Sequence, residues 1–147
     1  MDSTDRAILK CLKANSRMTA SAIAAEVNMS VSSVAERIKK LEETGIIRKY
    51  TVCLDADKAG GKISAYLGVT FASSASFERF RAFVENTDSV LCCDYVSSEP
   101  DFIMKVQTDG TEALRELQER LYRIEGVSKI KTFVVLKNVK DDFSALP

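Results

Sequence analysis

The segment 19–44, TASAIAAEVNMSVSSVAERIKKLEET, constrains this chain more than any other, because it reads as two short helices with a break at Asn28-Met29. Ala20, Ile23, Ala24 and Val27 recur at helical spacing before the break, and Val31, Val34, Ile38 and Leu41 do so after it. Each helix therefore has one stripe to bury. Thr19 and Ser30 stand where N-caps belong, since a side-chain hydroxyl accepts from the otherwise unpaired amides of a first turn. Upstream, Asp2 caps a first helix whose Ile8, Leu9 and Leu12 pack against the other two. With Val34, Ile38 and Leu41 turned inward, Ser33, Glu36, Arg37 and Lys40 share one outward flank.

Any small helical hairpin with a solvated charged face has that much. The residues that follow narrow the choice. Gly45 tolerates the positive φ that ends a helix, and 46–52 then begins a strand with Arg48 and Lys49 near its start, which reads as a short wing. Three helices and a wing make a winged helix-turn-helix, whose second motif helix enters a DNA major groove. On that reading Ser30 caps the recognition helix, Ser32, Ser33, Arg37 and Lys40 lie near bases or phosphates, and Arg48 and Lys49 meet the backbone. Arg37 either grips a guanine edge with two hydrogen bonds or holds a phosphate or Glu36. Residues 1–50 carry nine Lys and Arg against six Asp and Glu, and 51–147 carry twelve against fifteen, so the positive charge sits with the helix-turn-helix although the whole chain is neutral.

The 147 residues, 46% of them hydrophobic, suffice for one ordinary domain or two small ones. No apolar run approaches the ~20 residues that span a bilayer, and the start MDSTDRAILK lacks a signal-peptide pattern, so a cytoplasmic, nucleoid-associated location is expected. Histidine is absent, which removes Ser-His-Asp and Cys-His catalysis, and no other acid-base pair stands out; no catalytic residue is assigned. Cys11, Cys53, Cys92 and Cys93 lack metal-ligand spacing and read as reduced packing residues, so no metal and no cofactor is expected. Gly60-Gly61 opens no phosphate loop and reads as a turn.

The segment 51–61 begins extended and becomes polar, as a connector does, which puts a boundary near Gly60 and domains at 1–60 and 61–147. Beyond it the periodicity changes. A strand is expected at 63–71, a helix at 77–84, strands at 90–96 and 102–106 around the turn 97–101, a helix at 111–123 capped by Thr111 and stopped by Gly126, and a long strand at 127–139. Right-handed crossovers turn that βαββαβ order into a ferredoxin-like antiparallel sheet with both helices on one face. The other face, carrying Tyr66, Val134 and Leu136, is left bare, and a sheet-to-sheet dimer resolves it. A two-fold protein also suits a pseudo-palindromic DNA site.

The chain as a whole resembles the Lrp/AsnC, or feast/famine, transcriptional regulators. The resemblance rests on Asp2, Asp5, Ile8, Leu9, Leu12 and Arg17, on Ser30, Arg37, Ile38, Leu41 and Glu42, and on Gly45, Ile47 and Tyr50; Phe80, Val90, Val96, Asp101, Gly126, Val127, Thr132 and Val135 carry it through the second half. It implies an α+β protein with an N-terminal winged helix-turn-helix and a ferredoxin-like effector-binding and oligomerisation domain. Double-stranded DNA, a homodimer that assembles further, often to an octamer, and a small amino acid effector are the implied partners. It further implies that the effector sits between dimers near Ser98, Glu99 and Asp101, with Ser128 and Thr132 as companions. Such a site is chemically reasonable, since a carboxylate can hold an α-amino group while main-chain donors take the α-carboxylate. Ser98 stands where the family usually has glycine. A DNA-wrapping architectural protein with little ligand response is the alternative reading.

Overall fold

The computed structural model describes residues 1–52, 54, 62–73 and 76–140, which fall into two compact units, 1–52 with 140, and 54, 62–73 and 76–139. The boundary expected near Gly60 and the turn at Gly60-Gly61 lie outside the described residues.

In the first unit α1 (Ser3–Ala14), α2 (Ala20–Val27) and α3 (Val31–Glu43) enclose Ile8, Leu12, Ile23, Ala24, Val34 and Leu41. Their ends are fixed by local chemistry. Thr19 Oγ1 accepts from the Ala22 amide and Ser30 Oγ from the Ser33 amide, satisfying donors that the first helical turn leaves unpaired. Asn28 closes α2 in the left-handed conformation at φ 53°, and Gly45 follows α3 at φ 73°. The strand expected from residue 46 is not formed: among the described residues 46–52 no ladder pairing occurs. This stretch is instead tied back to α3. The Ile47 amide donates to the Leu41 carbonyl at 2.9 Å, and the Tyr50 hydroxyl donates to Glu42 at 2.8 Å. Burial, then that carboxylate, pushes the Tyr50 phenol up to about 12.

The second unit runs β1 (Ile63–Phe71), α4 (Phe77–Glu85), β2 (Val90–Tyr95), β3 (Phe102–Thr108), α5 (Thr111–Tyr122), β4 (Val127–Val134). Its four strands form one antiparallel sheet in the order β2-β3-β1-β4. Ala65, Leu67, Val69, Met104 and Val106 meet Phe80 of α4 and Leu114, Leu117 and Leu121 of α5 in a single core, so both helices cover the same face. Three details depart from expectation. Helix α5 begins at Thr111 with Gly110 at the cap position, and glycine has no side chain with which to cap it; the Thr108 hydroxyl donates to the Gly110 carbonyl at 3.1 Å. The last strand stops at Val134, paired with Ala65, rather than at 139; the Val135 amide still donates to the Ser64 carbonyl at 2.8 Å, and β1, which begins at Ile63, has nothing to pair with residues past 136. Finally, Val134 pairs with Ala65 and so lies on the helix side, while Phe133 pairs with Tyr66 on the bare face. That face carries Tyr66, Ile103 and Phe133, all exposed. Leu136 lies past the end of β4.

Candidate functional site

Helix α3 starts in a knot of hydroxyls. Ser30 Oγ lies 2.7 Å from Ser33 Oγ and 3.1 Å from Ser32 Oγ, which holds three polar groups at the positive end of the helix. Ser32 and Lys40 are exposed, Ser33 is half-buried, and Arg48 and Lys49 are exposed on the segment that Tyr50 anchors.

Arg37 has partners other than Glu36. Its Nη1 donates to Asp2 Oδ2 and to Asp5 Oδ1, both at 2.7 Å. The remaining oxygens of the same two carboxylates are also in use, since Asp2 Oδ1 accepts from the Asp5 amide at 2.8 Å and Asp5 Oδ2 from the Asp2 amide at 2.9 Å. The reciprocal cap of α1 and the clamp on α3 are thus one network. These amide bonds first, and the guanidinium second, hold both carboxyls below their ordinary value. Sequence reasoning placed Asp2 as a cap and missed the clamp, because its members are 32 and 35 residues apart.

In the second unit the expected ligand residues only partly converge. Asp101 Oδ2 accepts from the Phe71 amide at 2.6 Å at the end of β1. Glu99 pairs with Lys129 at 3.2 Å, and Ser128 Oγ donates to the Thr70 carbonyl at 3.0 Å. These groups and exposed Ser98 belong to the turn 97–101 and to the strand ends that it meets. The turn is seated on Gly68, where an added Cβ would stand 2.7 Å from Pro100 Cγ. Thr132 is not part of this group. It pairs with Leu67 on the helix side, where Gln118 of α5 donates to its hydroxyl at 3.1 Å. Lys129 was not anticipated, for nothing near it in the chain marks it as the counter-ion of Glu99.

Among the described residues no group of His, Cys, Asp or Glu has the arrangement of a metal site, and no helix is long and apolar enough to cross a membrane. Cys93 is half-buried, and burial pushes its thiol up to about 11, which keeps it protonated and unreactive.

Comparison with known proteins agrees with both halves. The winged helix-turn-helix DNA-binding family model matches residues 1–48, and the Lrp/AsnC ligand binding domain model matches residues 64–145. The chain belongs to the Lrp/AsnC family. An uncharacterised HTH-type transcriptional regulator of Pyrococcus horikoshii is 32% identical over 147 residues, covering 100% of this chain and 99% of that protein. The leucine-responsive regulatory protein of Salmonella typhimurium is 30% identical over 143 residues, 95% of this chain and 87% of that protein. A Neisseria meningitidis transcriptional regulator, solved as its L-Met complex, superposes with a TM-score of 0.90 at 28% identity over 99% of this chain and 96% of that one. The protein is therefore an Lrp/AsnC-type helix-turn-helix transcriptional regulator with a ligand-binding domain. The two curated relatives carry regulatory names, an HTH-type transcriptional regulator and a leucine-responsive regulatory protein.

Proposed function

We propose that the protein binds discrete, pseudo-palindromic DNA sites as a homodimer or larger assembly, octamers included, and that a small amino acid held between dimers tunes this binding. The observation that carries the DNA part is the division of α3, which buries Val34 and Leu41 and leaves Ser32 and Lys40 exposed beside its serine-capped start. Ser30, Ser32, Ser33 and Lys40 then face the groove, and Arg48 and Lys49 meet the phosphates, whose contacts fix register without reading sequence. The effector part is supported by the carboxylates of Glu99 and Asp101 with Ser98 and Ser128 at one end of the sheet, and by the L-Met complex and leucine-responsive name of two relatives. An α-ammonium suits those carboxylates.

Protection of genomic DNA by the purified protein, with and without the twenty amino acids at moderate salt, tests both parts. Discrete palindromic footprints that shift with one amino acid are expected. Broad, phased protection that ignores every amino acid would replace this reading with that of a DNA-wrapping architectural protein.

A further inference from the structure

The acidic start of α1 faces the one arginine on the outward flank of α3, which is an odd place for two carboxylates in a DNA-binding unit. Phosphate attraction dominates protein–DNA affinity, so uncompensated negative charge beside a recognition helix works against binding. Here two carboxylates meet one guanidinium, and the cluster keeps a net negative charge. Its chemistry is nonetheless fully committed. Each carboxylate gives one oxygen to the partner's amide and the other to Arg37, so no oxygen can leave Arg37 without the network losing a bond.

We infer that Asp2, Asp5 and Arg37 form a clamp that sets the position of the recognition helix against α1, and that Arg37 acts on DNA as a positioning residue rather than as a reader of bases or phosphates. The contrast with α2 supports this. Helix α2 is joined to α3 by only three residues, Asn28 to Ser30, and its left-handed Asn28 sets its angle to α3 locally. No comparable short link joins α1 to α3, which meet through Ile8, Leu12, Val34 and Leu41, apolar contacts that resist separation but define register weakly. Charged hydrogen bonds at 2.7 Å supply the missing directionality, because they are short and angle-dependent. The inference rests on α3 being the element that enters DNA.

The test compares the full-length parent, Arg37→Ala, the double variant Asp2→Asn with Asp5→Asn, and all three changes combined, on one duplex selected by the parent. Asparagine still offers an oxygen to the capping amides, so the double variant keeps the α1 cap while removing the charges that hold Arg37. Affinity is read across a salt series, at a temperature where circular dichroism shows every variant folded. Electrostatics alone predicts tighter binding once two negative charges go and Arg37 is released. The clamp predicts the opposite: the double variant and Arg37→Ala each lose about tenfold, the combined variant loses no more than either, and the salt slope stays that of the parent. Equal or tighter binding by the double variant overturns the clamp. So does a slope that falls by ~0.9 in Arg37→Ala, the mark of one lost phosphate contact. A parent that binds no duplex removes the underlying reading of α3 as well.

Discussion

Ser30 shows how much one side chain decides. Its hydroxyl oxygen accepts from the Ser33 amide and touches two further serine hydroxyls, so the start of α3 and the polarity of its exposed tip depend on the same atom. Ser30→Ala is expected to cost about 1 kcal/mol, the usual value of a lost N-cap. A lowered midpoint in denaturant unfolding checks it, and Ser30→Asp, which restores an acceptor, is expected to recover most of the loss. Caps of this kind were legible in the sequence because acceptor and donor lie three residues apart: Asp2, Thr19 and Ser30 all act as read. Thr111 was misread by one position, since it is the first residue of the helix and the cap position before it is Gly110, which has no side chain to offer. The partners of Arg37 and Glu99 were not legible at all, because only the fold brings Asp2, Asp5 and Lys129 to them.

Among the elements, periodicity told the helices from the strands of the second unit, but the strand expected at 46–52 is absent. Strand β4 ends at Val134, opposite Ala65, and the stretch after Gly45 stays out of any ladder among the described residues. A one-residue difference in register moves a side chain to the opposite face, which is why Val134 proved to be on the helix side and Phe133 on the bare side. The tie between α1 and α3 carries a pH signature. Asp2 and Asp5 bind protons more weakly in the folded chain than at their ordinary value of 3.8. Their contribution is therefore complete above that value and is lost as pH falls through the lower folded values. As pH falls from about 4 toward about 2 the parent is expected to lose more stability than an Asp2→Asn, Asp5→Asn variant, which has no such protons to gain. Thermal unfolding across that range is the measurement, and parallel curves for the two proteins would deny the tie any energetic weight.

For the molecule as a whole, the sheet leaves apolar surface without a cover. Tyr66, Ile103 and Phe133 stand exposed on the face opposite α4 and α5, and Phe133 is 60% exposed. Surface of that kind marks association, in keeping with the oligomeric partners of an Lrp/AsnC regulator. Phe133→Lys is expected to shift the protein toward monomer in sedimentation velocity while barely moving its unfolding midpoint, because so exposed a ring contributes little to the core. Unchanged sedimentation would assign self-association to another surface. The seat of Pro100 on Gly68 has a consequence of a different kind. Two positions that are 32 residues apart in the chain share one small volume, so neither can drift alone. In any descendant of this protein, a side chain gained at 68 requires a smaller or displaced ring at 100, so the two positions can change only as a linked pair.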